Sequence, residues 1–220
     1  MAKPRVVETE EGIQGEFEVQ TYDLMLRRLR DRGWMETDSI IKSGIDTGSA
    51  LEIGPGPGYL GLEWLKKTKD TKLTGVEISP DMIAMAKKNA REYRFEDRVE
   101  YVRSDAQQMP FDDSMFDAVF TNGSLHEWSQ PLKIFDGIHR VLKPHGKYFI
   151  SDLRRDMSRL VMWFMWLMTK PKEIRPGLIS SINAAYTVDE IRELLKGTKL
   201  QGYDVQKNTM GLVIIGEKDA

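Results

Sequence analysis

This chain of 220 residues contains no cysteine. Disulfides, thiolate metal sites and cysteine nucleophiles are therefore excluded. Histidine is scarce, at three residues, and no two stand at metal-ligand spacing, so no metal is expected. Charge of one sign is lacking too: 32 basic against 34 acidic residues leave a formal −2, which gives no electrostatic footprint for nucleic acid. Long apolar runs are absent. The longest, Leu160 to Met168, is too short to span a bilayer, so no transmembrane segment is expected. Met1 to Gln14 is polar and lacks the apolar stretch of a signal peptide, and a cytoplasmic protein is the expectation. The length suffices for one large domain with a full core.

What is present is organised around Leu51-Glu52-Ile53-Gly54-Pro55-Gly56-Pro57-Gly58. A short apolar run, Ala50 to Ile53, breaks into three alternating glycines and resumes as Tyr59, Leu60, Leu62, Trp64 and Leu65. That is strand, tight turn, helix. Glycine allows the sharp bend and a close ligand approach. The helix aims its free N–H groups back at the turn, as nucleotide sites require. Gly56-x-Gly58-x-x-Gly61 also fits a dinucleotide fingerprint, which by itself is weak.

Downstream, Leu73 to Ile78 reads as a second strand ending at Glu77. Ser79-Pro80-Asp81 starts a helix running to about Tyr93. Val99 to Arg103 is a third strand, closed by Ser104-Asp105-Ala106, and Phe116 to Thr121 a fourth, closed by Asn122-Gly123-Ser124. Leu132 to Leu142 is amphipathic and helical, Lys143 to Gly146 is its stop, and Lys147 to Ser151 is a fifth strand. Thr187 to Glu190 forms a capping box for a helix to Lys196, and Leu200 to Gln206 with Met210 to Gly216 reads as a hairpin. Alternation at this spacing predicts an α/β fold: a doubly wound, seven-stranded, mostly parallel sheet with a C-terminal antiparallel hairpin. Before the sheet, Phe17 to Arg30 and Asp38 to Lys42 read as helices, and the first 15 residues as a loose arm.

The strand ends line one crevice in such a sheet. Glu77, 19 residues beyond Gly58, is placed to accept from both hydroxyls of a ribose, and Ile78 and Met82 suit packing against a base.

The Glu-x-Gly-x-Gly-x-Gly motif beginning at Glu52, with Glu77 and Asp105 in register, resembles class I S-adenosylmethionine-dependent methyltransferases. The resemblance runs from about Ala50 to Ile150 and includes Phe116-Asp117 and Leu142-Lys143-Pro144-x-Gly146. It implies S-adenosyl-L-methionine as cofactor, held by Glu52, Gly54, Pro55, Gly56, Gly58, Glu77, Ile78, Met82, Asp105, Ala106, Asn122, Gly123 and Ser124. Within it, Asp105 would meet the adenine amino group and the Ala106 N–H the ring. It also implies N-terminal helices, about 16–44, folded over the cofactor, with Tyr22 and Trp34 either lining that cover or packed in the core. A single domain, 1–220, with an inserted helical lid at about 153–186 is expected.

The implied reaction is methyl transfer to a small, partly hydrophobic acceptor by in-line displacement. A catalytically silent binding module and an NAD-dependent oxidoreductase are the alternatives. His126 and Glu127 follow the fourth strand where the methyl would point. His126 is a candidate base or merely orders the loop, and Glu127 is expected to be solvated or one layer behind. Candidate acceptor contacts are Tyr22, Arg154, Arg155, Trp163 and Tyr186. The run 160–168 is apolar on every side and must be covered: by the core, by a second subunit as a homodimer, over the site, or at a membrane surface.

Overall fold

The computed structural model describes residues 4–8 and 12–220. Seven strands form one sheet: β1 (Ser49–Ile53), β2 (Lys72–Glu77), β3 (Val99–Arg103), β4 (Phe116–Asn122), β5 (Leu142–Leu153), β6 (Asp204–Lys207) and β7 (Gly211–Glu217). Their order is β3-β2-β1-β4-β5-β7-β6. The first five are parallel, and β7 runs antiparallel to both β5 and β6. The order reverses between β1 and β4, and a crevice opens at such a switch point. The expected fold class is what the chain adopts.

Strands covered on both faces must be apolar in near-continuous runs. Leu51, Ile53, Val119, Tyr148, Ile150 and Ile214 point to one face. There they meet α5 (Pro131–Val141) and α8 (Val188–Leu195) through Phe135, Ile138, Ile191 and Leu195. Ala50, Leu73, Ala118, Phe120 and Phe149 point to the other. They meet α2 (Thr37–Lys42), α3 (Tyr59–Lys67) and α4 (Pro80–Tyr93) through Ile40, Leu62, Trp64, Leu65 and Ala86. Ser79 caps α4 by accepting from Met82 N, and Thr187 with Glu190 closes the capping box of α8.

Three expectations need correction. Lys143 to Gly146 does not separate a helix from a strand, because β5 already starts at Leu142. The pairing with β4 steps from Phe116–Leu142 to Ala118–Lys147, so the residues between form a bulge, with His145 at φ 62. The arm is not loose in its described parts. Arg5 donates to the carbonyls of Ala184 (2.5 Å) and His126 (2.8 Å) and lies 4.2 Å over the Tyr186 ring. Finally, the apolar run forms α6 (Arg159–Met168), in which no residue is buried, so the core does not cover it. It is followed by α7 (Arg175–Ala184). Ahead of the sheet stands α1 (Glu16–Asp31).

Candidate active site

β1 ends where Gly54, Gly56 and Gly58 all take positive φ, 62, 53 and 85°. Only glycine accepts this run without strain. Space demands the same at Gly58, where a Cβ would lie 2.5 Å from the Tyr101 hydroxyl. Gly58 then caps α3, whose first N–H groups face the turn.

Glu77, at the end of β2, ties the turn to the next helix. Its Oε2 accepts from Gly56 N at 3.1 Å and its Oε1 from Ser79 N at 3.0 Å. Burial raises its pKa, and these N–H bonds pull it back. Glu52 sits one strand over on the α3 face, 2% exposed. Its Oε2 has no hydrogen-bond partner among the described residues. Burial pushes its carboxyl up to about 8, with the Glu77 charge adding to the rise. Asp105 caps the 3-10 turn Ala106–Gln108 by accepting from Gln107 N at 2.8 Å. At the end of β4, Asn122 donates to the Ser151 hydroxyl at 2.8 Å, and Ser124 lies 2.6 Å from Thr121.

These strand ends open on a cavity of about 990 Å³. Glu52, Gly54, Pro55, Gly56, Glu77, Ile78, Met82, Asp105, Ala106, Asn122, Gly123 and Ser124 all line it, and Gly58 does not. The opposite wall is apolar: Met25, Leu26 and Leu29 of α1, Trp128, Phe164, Met165 and Met168 of α6, and Leu178 of α7. Gly12 and Ile13 of the arm close one side, held by the Ser79 hydroxyl, which donates to the Ile13 carbonyl at 2.7 Å.

Tyr22 lines the cavity, its phenol pKa raised by burial and by the Glu127 and Glu77 charges. Trp34 lines it too and is 54% exposed at the mouth, so it is not a core aromatic.

The pair at 126–127 divides its work. The short turn Leu125–Glu127 sends consecutive side chains in different directions. His126 is buried and does not line the cavity. Its backbone N donates to Asp152 Oδ2 at 2.6 Å, and its Nδ1 lies 2.9 Å from Asp152 Oδ1. Burial lowers the imidazole pKa, but Asp152 outweighs that and lifts it to about 9. Glu127 is the residue that faces the cavity, with its side chain 41% exposed there, so it is solvated as expected but not one layer behind. Burial pushes its carboxyl up to about 7, against the pull of the His126 charge. Glu8, His126 and Glu127 bring one ligand atom each within 4.8 Å of one another, with His126 Nε2 3.4 Å from Glu8. No spacing in the sequence signals this grouping, because Glu8 lies 118 residues before His126.

Four expected acceptor contacts lie elsewhere. Arg154 is buried, donating to the Asn208 carbonyl and pairing with Asp156 at 2.9 Å. Arg155 is bound to Glu190 and to the Ala185 carbonyl. Tyr186 is buried beneath Arg5. Trp163 points outward, 57% exposed, while its neighbours Phe164 and Met165 take the cavity side. Helical spacing alone did not say which side of an all-apolar helix would turn inward.

Comparison with known proteins gives the same picture. Residues 51–150 match a methyltransferase domain family. Sterol 4-C-methyltransferase of Caenorhabditis elegans is 37% identical over 47% of this chain and 30% of its own length. The ubiquinone/menaquinone biosynthesis C-methyltransferase UbiE of Citrifermentans bemidjiense is 29% identical over 82% of this chain and 81% of its own. Of the similar UbiE of a Geobacter species, 57% is covered, so the chain spans less than two thirds of several curated relatives it matches. Among solved structures, an S-adenosyl-L-methionine-dependent methyltransferase fold from Methanococcus maripaludis superposes with a TM-score of 0.75. It is 24% identical, over 94% of this chain and 96% of that one. With the glycine turn, the strand-end acids and the sheet order in place, residues 51–150 form a methyltransferase domain, and the chain has the fold of the class I S-adenosylmethionine-dependent methyltransferases.

Proposed function

We propose that this protein transfers a methyl group from S-adenosyl-L-methionine to a small, partly hydrophobic acceptor. The observation that carries the reading is the division of one cavity into two halves. One half is glycine turn and carboxylates, and the other is methionine, leucine and aromatic side chains.

The polar half suits the cofactor. Gly56 leaves room beside Tyr22, where an added Cβ would stand at 3.5 Å, and Gly123 faces open space. The Glu77 carboxylate, already fixed by two N–H donors, keeps lone pairs for a ribose diol. Ile78 and Met82 offer an apolar platform for the base, and Asp105 and Ala106 its polar edge. Glu52, with an unpartnered oxygen, is a carboxyl that a nearby cation would ionise. When bound, the cofactor supplies a methyl group activated by the adjoining sulfonium.

The chain supplies position and proton handling. The apolar wall of α1, α6 and α7 excludes water and orients the acceptor, with α6 and α7 serving as a lid over about 153–186. Glu127, lifted to about 7, accepts at its carboxylate the proton that an acceptor oxygen, nitrogen or acidic carbon loses. The His126–Asp152 pair stands behind and fixes the turn that aims Glu127. The names of the sterol and ubiquinone/menaquinone relatives favour a hydrophobic ring acceptor of that kind.

The test pairs calorimetry with S-adenosylhomocysteine and label transfer from tritiated S-adenosylmethionine to quinols and sterols. Binding and transfer are expected, with Glu127→Gln keeping affinity but lowering kcat by about tenfold or more. No binding refutes the reading. Binding without transfer to any acceptor leaves a silent binding module.

A further inference from the structure

We propose that α6 and the rim of the cavity form a docking face for a bilayer that contains anionic lipid. Leu160, Trp163, Phe164 and Leu167 follow helical spacing on one side of α6 and are 73, 57, 52 and 44% exposed. Phe164 stands at the edge of this stripe and also lines the cavity, so the outward face and the cavity mouth are continuous. Such a face left in water is costly, and tryptophan and leucine are the side chains that settle at a bilayer interface.

The charges around it name the partner. Between residues 157 and 188 the chain has four basic residues and one acid, Glu173. Arg159 opens α6, and Lys170 and Lys172 follow its end. All three are exposed, and none has an acidic partner within 4 Å among the described residues. Arg175 lies 4.1 Å over the Trp166 ring. Across the mouth Arg28 and Arg32 line the cavity beside Trp34, against one acid of the same stretch, Glu36. An apolar stripe ringed by unpaired cations fits lipid tails below anionic headgroups.

A second copy fits less well. A two-fold contact through this face sets Arg159, Lys170 and Lys172 against the same residues of the other copy. It also covers the mouth. A bilayer neutralises the cations and leaves the mouth facing lipid, from which a hydrophobic acceptor enters without crossing water. Only this last purpose rests on the methyl-transfer reading. The docking does not.

The test is flotation of the full chain with vesicles of phosphatidylcholine alone or with about a third phosphatidylglycerol. Binding to the anionic vesicles is expected, weakening steeply as salt rises. Substituting L160S, W163S and L167S together, outside the cavity lining, should lower partitioning by about tenfold or more. R159E with K172E should abolish the preference for anionic vesicles, at about fivefold per charge. Unchanged affinity for S-adenosylhomocysteine and unchanged circular dichroism serve as controls for folding. If the triple variant misfolds, the charge pair decides alone. No vesicle binding at low salt overturns the proposal. So does a wild-type dimer, dissociated by the triple variant, that binds neither vesicle. Loss of methyl transfer with vesicle binding intact would strike the function and leave the docking standing.

Discussion

Glu77 is the residue on which the proposed cofactor site can be tested most sharply. Its carboxylate holds Gly56 N and Ser79 N at 3.1 and 3.0 Å, so it joins the glycine turn to the start of α4. In the proposed arrangement it also accepts from two ribose hydroxyls. Glu77→Gln keeps the shape and one carbonyl acceptor but loses the charge. A hydrogen bond to a charged group is worth about 1.5–3 kcal/mol, against about 1 kcal/mol for a neutral one. Losing that difference on one ribose bond and the whole bond at the other, where the amide NH2 cannot accept, costs about 3 kcal/mol, which is about a hundredfold in affinity. Glu77→Ala removes both bonds and also unties the turn. It should lower Tm by about 4–8 °C for a domain of this size. The assay is calorimetry with S-adenosylhomocysteine, with thermal melts of each variant in parallel. If Glu77→Gln binds within about twofold of wild type while melting normally, the ribose is not where the argument puts it.

Two further outcomes follow from the buried groups. Glu52 has a folded pKa of about 8 against 4.5 unfolded, so its contribution is fully present below about 4.5 and is lost as pH rises through 8. Relative to Glu52→Gln, wild type should lose on the order of 3 kcal/mol between pH 5 and pH 8, read as a widening gap in Tm. Parallel Tm curves would place the carboxyl in a wetter setting. Gly58→Ala combines φ 85° with a Cβ 2.5 Å from the Tyr101 hydroxyl, and should cost about 2–3 kcal/mol in urea melts. A loss below about 0.5 kcal/mol would mean the turn relaxes freely.

The strand ends were legible because their information is local. Glycine spacing at 54–58, the cap at Ser79 and the acids at 77 and 105 each declare a turn within a few residues. The sheet then brings them together by its own topology. The far wall was not legible, because it comes from elements whose inward side is chosen by distant partners. Residues 163–165 are Trp-Phe-Met, all apolar, and only packing against α7 and the cavity selects Phe164 and Met165 over Trp163. Likewise, Arg154 and Arg155 look like free cations in sequence. Asp156 and Glu190 claim them, the second from 35 residues away through the capping box of α8. The bulge at His145 is hidden in the sequence for the opposite reason. Pro144 and Gly146 are strong local stop signals, and sheet pairing on both sides overrode them.

His126 and Glu127 show why the choice of base needed three dimensions. Read by residue type alone, histidine is the better base, since it titrates nearest neutrality. In the folded chain the order reverses. Asp152 sits 2.9 Å from the imidazole and lifts it to about 9, so at neutral pH the ring is charged and has no lone pair to offer. Burial at the cavity edge lifts Glu127 to about 7, into the range that histidine has vacated. A charged imidazolium beside Glu127 also lowers the cost of ionising that carboxyl once the site closes. The two residues are therefore one device. Asp152 holds the charge on His126, His126 tempers Glu127, and Glu127 is the one of the three that lines the cavity where the proposed acceptor would sit. It follows that Asp152→Asn should shift the pH profile of transfer, while Glu127→Gln should erase its lower limb.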